Sequence, residues 1–259
     1  MRSSLFAVAI SFLALTAHAG VASANQCVTL PDHEALTVAL KTARAEANGG
    51  LNLDMWATIV DRDGVVCAVT YSGATTGAQW PGSRVISAQK ANAANAFSLE
   101  GLALSTANLY SAVQPGGSLF GLQESNPVNT AVAYDGTPAS FGTAKDPMVN
   151  KMIGGVNVFG GGLGLYTAQG KIAGAVGVSG DASCADHNIA WRVRNILKLD
   201  YVQSGVSPTK NDQIIYDIAD GHSKGGFGHP LCSGTENTIA ATLPATSVPS
   251  LPVIAPVAE

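Results

Sequence analysis

The sequence predicts a single α/β domain. Three observations predict it. Apolar residues recur at helical spacing in three segments, two runs of strand-forming residues each fold back at a turn dipeptide, and no linker-like stretch divides the body.

The segment "DHEALTVALKTARAEANGG" reads as a helix. Asp32 caps it, Leu36, Leu40, Ala43 and Ala47 form its apolar stripe, and Gly49 and Gly50 stop it. "LDMWATIVDRDGVVCAVTY" follows as a β-hairpin turning at Asp63-Gly64. "SRVISAQKANAANAFSLEG" is helical again, with Ala88, Ala91, Ala94 and Ala96 small enough to admit a close partner: a sheet, another subunit or a flat ligand. Residues 111–160 are rich in Gly, Pro, Asn and Ser; so long an irregular region implies that it covers a site or forms an interface. A second hairpin, "GLGLYT" and "KIAGAVGV", turns at Gln169-Gly170, and its glycines mark the close approach of something, the alanine-rich helix or a ligand. The last long helix starts near Ser183 or Cys184. Ile189, Val193, Ile196 and Leu197 share its core side, with His187, Trp191, Arg194 and Lys198 roughly opposite. Beyond Asp200 regular structure thins: "NDQIIYDIAD" suits one short strand or turn, and residues 236–259 read as a flexible tail.

Composition narrows the function. The opening "MRSSLFAVAISFLALTAHAG" has one basic residue, an apolar run and small residues at a plausible cut, so residues 1–24 read as a secretory signal peptide, cleaved after Ala19 or Ala24. The expected setting is periplasmic or secreted, with no membrane span after processing. The net charge is −4, and only 12% of residues are charged, which argues against a nucleic-acid partner. Four cysteines, Cys27, Cys67, Cys184 and Cys232, all survive cleavage. An even count in an oxidising compartment favours two disulfides. Three pairings are open; Cys27–Cys67 with Cys184–Cys232 is favoured because each bridge closes one end of the chain onto the body.

At "FGGGLGLYTAQGKIAGAVGVSGDASCADHNIAWRVR" the chain resembles the GlcG/HbpS family, also called the haem-binding or DUF336 domain. The glycine pair Gly161-Gly162, the strand Gly174 to Gly180 and Asp186 near the helix start carry the resemblance. The earlier helix and hairpin and the Ala88-Gln89-Lys90-Ala91 helix extend it over residues 32–199. The resemblance implies an antiparallel sheet flanked by helices, one GlcG/HbpS-like domain over residues 25–235 with a C-terminal extension, assembly into a homo-oligomer, and haem as cofactor. Some members take part in haem breakdown or redox sensing. This chain departs from the family in Leu163 after the glycine pair, where proline is frequent, in a longer middle region, and in its cysteine-containing extension.

The function expected is therefore an exported haem- or tetrapyrrole-binding protein, redox-linked in some relatives. The alternative is a protein or enzyme that takes a small organic acid in the same cleft without haem. The candidate ligand-contacting residues are His187, Lys90, Asp186, Gly161 and Gly162, with His187 also the candidate metal ligand, through imidazole to haem iron. The other reading of His187 is a residue that caps the helix start or packs beside Trp191. Lys90 suits a propionate or another carboxylate, as do Arg84 and Arg194; each reads equally as a solvated cation. Asp181 and Asp186 read as caps. His222, His229 and Cys232, with His187, offer nitrogen and sulfur to Zn or Cu, although H-x6-H-x2-C is no compact signature. Cys184 and His187, three apart, have the spacing of a thiol–imidazole pair, which disulfide formation would disarm.

Overall fold

The structure, a computed structural model, describes residues 26–232 and 234–250; the predicted leader and residues 251–259 lie outside them. Four strands form one antiparallel sheet: β1 (Trp56–Asp61), β2 (Val66–Tyr71), β3 (Gly162–Tyr166) and β4 (Ile172–Ser179), in the order β2-β1-β4-β3. Both predicted hairpins form. Gly64 and Gly170 take positive φ at the two turns, as a tight reversal needs. At the first turn the Asp61 carboxylate also accepts from the Asp63 and Val65 amides, at 3.0 and 2.9 Å.

Three long helices cover the sheet. Helix α1 (His33–Ala45) is capped by Asp32, whose carboxylate accepts from Ala35 N at 2.9 Å. It ends at Ala45, before the expected glycines, and Ala47 is exposed. Helix α2 (Ser83–Phe97) lies on the other face. Its buried alanines are Ala88, Ala91, Ala93 and Ala94, while Ala96 faces solvent. The close partner these alanines predict is the sheet. A Cβ on Gly177 of β4 would fall on the Ser87 carbonyl oxygen and near Ala91 N, so only glycine lets α2 seat this deeply. Two single-turn helices, α3 (Leu122–Ser125) and α4 (Thr130–Ala133), lie in the irregular region before α5 (Ser183–Ile196). Alternation along the strands divides the core: Ala57, Ile59, Val176 and Val178 pack with α1 and α5, and Trp56, Val60 and Ala175 pack with α2.

Helix α5 departs from the one-sided expectation. Of its predicted outer face, His187, Trp191 and Arg194 are buried and only Lys198, past the end of the helix, is exposed, while Ile196 of the predicted core side is partly exposed. The cover is the C-terminal extension. Arg194 pairs with Asp212, Trp191 Nε1 donates to Pro244 O at 2.8 Å, and Gln213 ties to Ala240 O in the short helix α6 (Glu236–Ala240). The two-residue strands β5 (Ile218–Ala219) and β6 (His222–Ser223) pair within this extension. Residues 236–250, read from the sequence as tail, also lie on the domain: Leu243 packs on the core, and Ser250 N donates to Ala168 O at 2.8 Å. The periodicity of a helix cannot register a cover supplied from outside the periodic segments. Both favoured disulfides are present, Cys27–Cys67 and Cys184–Cys232.

Candidate functional site

The predicted site residues gather where β4 passes into α5. Ser179 ends the strand, residues 180–182 turn, and Ser183 opens the helix. Asp186 points back under this turn. Its Oδ1 accepts from the amides of Gly180 and Asp181 at 3.1 and 2.9 Å, and its Oδ2 accepts from Lys90 Nζ at 2.6 Å. Lys90 also donates to Val178 O at 3.1 Å and lies 4.6 Å from the centroid of the Phe159 ring. Both charges are sealed, with Lys90 0% and Asp186 1% exposed. Burial pushes the Asp186 carboxyl up to about 6, against the pull of Lys90 and the backbone donors, and burial lowers the Lys90 ammonium.

The glycine pair belongs to the same cluster. Gly161 has φ +120°, and a Cβ there would meet Val178 O, Lys90 Nζ and Asp186 Cβ. At Gly162 it would meet Lys90 O and Thr106 Cγ2, both at 2.5 Å. The close approach these glycines permit is thus the chain's own approach to the Lys90–Asp186 pair. Neither Asp181 nor Asp186 caps α5, whose N-cap position is Ala182 with no side-chain bond; the Asp181 carboxylate instead accepts from Leu51 N at 2.7 Å and Leu53 N at 2.9 Å, fastening the loop after α1.

His187 diverges from Asp186, as neighbours on a helix do. It turns to the extension, where its Nε2 accepts from Ile214 N at 3.2 Å, and its ring lies 6.0 Å from that of Trp191. With Nε2 accepting, Nδ1 carries the proton of the neutral ring, and this buried Nδ1 meets no partner among the described residues. Burial, then the charge of Arg194, lowers the imidazole to about 3. His187 is 0% exposed and the lone pair that would reach a metal is engaged. The structure therefore places it in the packing role beside Trp191 that the sequence also allowed.

The other nominated cations have internal partners too. Arg84 forks onto Asp146, donates to Ala133 O at 2.8 Å and stacks 3.8 Å from the centroid of Phe141. Arg194 makes two 2.7 Å bonds to Asp212. Each of the three buried cations meets an aspartate far away in sequence, so a residue-type reading sees the cation and misses its partner.

His229, by contrast, stands beside the Cys184–Cys232 bridge. It is 1% exposed, its Nδ1 lies 2.8 Å from Pro230 O, its Nε2 lies 3.2 Å from Ser183 Oγ, and burial lowers it to about 4. Cys184 thus meets His229, not His187. Next to this group opens a cleft of about 550 Å³, walled by Tyr110, Ile218, His222 and Pro230 and by the loop at Gln114–Ser118. His222 is exposed there, and no hydrogen bond holds its ring among the described residues. Its position in a glycine-rich loop left only the residue type as a signal in the sequence.

The model of a family described as haem-degrading protein HbpS-like matches residues 32–194, more than half of the sequence. The chain belongs to the HbpS-like family. No curated protein matches it. Among solved structures, the HbpS-like chain is similar to Klebsiella pneumoniae protein ORFY, with 24% identity over 63% of this chain and 86% of the other, at a TM-score of 0.44. It is similar also to PduOC in complex with haem, with 22% identity over 63% and 89% of the two chains and a TM-score of 0.44. A double mutant of Streptomyces reticuli HbpS shows 18% identity over 75% and 99%, with a TM-score of 0.41. The family match stops at Arg194, so the extension that covers α5 lies outside it. No helix among the described residues is long and apolar enough to cross a membrane.

The two buried histidines make acid sensitivity measurable. Their folded values, about 3 and about 4, lie below the ordinary 6.5, so below that pH the unfolded chain binds more protons. Their contribution is complete above pH 6.5 and is lost as the pH falls, at about 1.4 kcal/mol per histidine per pH unit. Asp186, raised to about 6, acts with the opposite sign between its ordinary 3.8 and 6, offsetting about one histidine there. Stability is expected to fall from pH 6.5 toward 4. In His187→Gln, whose amide oxygen can still accept from Ile214 N, the decline should flatten; denaturant unfolding across this range that gave the two proteins equal slopes would refute the assignment.

Proposed function

We propose that this HbpS-like chain is an exported protein that binds haem or a related tetrapyrrole in the cleft between Tyr110 and His222. Family membership supports the ligand class. The observation that carries the location is His222, an exposed imidazole on the wall of a cleft whose volume, about 550 Å³, falls within the roughly 300–1,000 Å³ of small-molecule sites. The donor set fits the group: an imidazole suits haem iron, and Tyr110, Ile218 and Pro230 offer aromatic and apolar surface to a flat macrocycle. The Lys90–Asp186 cluster does not fit it, because both charges are sealed and satisfied by each other. Haem bound at the cleft would supply redox chemistry at its iron; the chain's own part is to present His222 beside Tyr110, Ile218 and Pro230. Two disulfides and the leader-like N-terminus support a periplasmic or secreted setting.

The organic-acid alternative has less support, since Lys90, Arg84 and Arg194 are each buried against an aspartate and none is left to meet a substrate carboxylate. An absorption titration with haemin tests the reading. Saturable one-to-one binding with a sharp Soret shift is expected. His222→Ala should weaken it on the order of tenfold or more, a change of about 1.4 kcal/mol, while His187→Ala should leave it nearly unchanged. Weak, non-saturable association in the unsubstituted protein would sink the haem reading; full binding by His222→Ala would move the ligand away from this cleft.

A further inference from the structure

The Cys184–Cys232 bridge has a neighbour that a disulfide does not need. His229 is buried against it, and one donor atom from each of Cys184, His229 and Cys232 lies within 4.8 Å of the others. The ring is held at both nitrogens. Nδ1 faces Cys184 Sγ at 3.8 Å and Pro230 O at 2.8 Å; Nε2 faces Ser183 Oγ at 3.2 Å. Ser183 Oγ in turn lies 3.6 Å from Cys232 Sγ. With the bridge closed, Nδ1–H donates to the carbonyl and the serine hydroxyl donates to Nε2. The serine oxygen can also accept, so Ser183 can hold the other tautomer through Nε2–H; the Nδ1 lone pair is then free for a metal between the two sulfurs once the Pro230 carbonyl, which takes the Nδ1 proton in the oxidised form, turns aside. That is the arrangement of a metal-bound histidine, whose second nitrogen donates to an oriented partner.

We propose that the reduced form of this protein binds one zinc-class divalent ion through Cys184, Cys232 and His229, with Ser183 supporting the imidazole. The site exchanges with the disulfide. A dithiol reductant gives two electrons and two protons to the bridge and leaves as its own cyclic disulfide. The ion then displaces the two thiol protons and takes the Nδ1 lone pair. Two thiolates and one imidazole leave a fourth position open to water, the composition of an accessible zinc centre. Exchange has a point of entry at Cys232, which is half-buried next to Leu231, exposed to 60%. Beside the other bridge, Cys27–Cys67, stands the Asp61 carboxylate, one oxygen of which already accepts two turn amides.

Anaerobic Co(II) titration of the full chain, reduced with a dithiol and then desalted, tests the proposal, with circular dichroism to confirm that each protein is folded. Reduced protein should bind one Co(II) with a thiolate-to-cobalt charge-transfer band that zinc abolishes, and oxidised protein should show none. Because reduction opens both bridges, two double variants separate them. Cys27→Ser/Cys67→Ser should keep the band and Cys184→Ser/Cys232→Ser should lose it. His229→Ala should weaken binding by at least about tenfold. A reduced protein without the band, a band that survives in Cys184→Ser/Cys232→Ser, or unchanged affinity in a folded His229→Ala would each overturn the site. The two cysteine variants decide the matter even where His229→Ala fails to fold.

Discussion

Replacing Lys90 by methionine is expected to destabilise the fold by about 3–5 kcal/mol, a loss typical of removing one partner from a buried ion pair. Methionine fills most of the space of the lysine stem, so the loss reports the charge. The carboxylate of Asp186 would remain under the turn with its two backbone donors and no cation, at a position 1% exposed. Asp186→Asn should cost a similar amount by stranding the ammonium, although the asparagine oxygen can still accept from Gly180 and Asp181. The double variant Lys90→Met/Asp186→Asn should recover at least half of the summed loss, because neither charge then remains. Denaturant unfolding of the four proteins closes the cycle. Strictly additive losses would mean that the two groups do not act as a pair. A Lys90→Met protein of unchanged stability but lost ligand binding would return Lys90 to the ligand-contacting role that its residue type suggests.

The same pair shows what was legible in the sequence. The hairpins were readable because a turn dipeptide and flanking apolar runs specify them locally, and the Asp32 cap was readable for the same reason. The glycines of β3, β4 and the segment before them announced close approach, and Gly161, Gly162 and Gly177 do mark close approaches, to the Lys90 side chain, the Lys90 carbonyl and the Ser87 carbonyl. The alanine-rich helix, one of the two partners expected, is what approaches Gly162 and Gly177; the ion pairs behind it were not legible. Lys90 and Asp186 are 96 residues apart, Arg84 and Asp146 are 62 apart, and no local pattern announces either pair. The two-sided burial of α5 was hidden for a related reason. Its second cover is a segment with hardly any regular structure, in which single contacts such as Asp212 with Arg194 and Ile214 with His187 do the docking. Local sequence reports strand, helix and turn; pairing across the fold depends on topology.

Cutting the Cys184–Cys232 bridge with Cys184→Ala/Cys232→Ala is expected to cost about 4 kcal/mol, the loop-closure entropy released to the unfolded chain by a closed loop whose ends are 48 residues apart. The native state should change less than the unfolded one. The extension has its own attachments on either side of the bridge: the Arg194–Asp212 fork, the Ile214 amide on His187, the Gln213 amide on Ala240 O, and Trp191 on Pro244 O. Trp191 should therefore stay buried in the folded variant, and its fluorescence should match that of the oxidised parent. The segment freed most is 217–232, where two-residue strands and glycines provide few cross-chain bonds to the body. Limited proteolysis should cut first there. The denaturant midpoint measures the entropic term and the fluorescence measures the docking, so the two can fail separately. A loss under about 1 kcal/mol would mean that the unfolded chain already keeps these segments together, or that closing the bridge costs native contacts. A solvent-exposed Trp191 would mean that the covalent link, rather than the packing, seats the extension on α5; the reduced protein would then lose the frame that holds His229 beside the two cysteines.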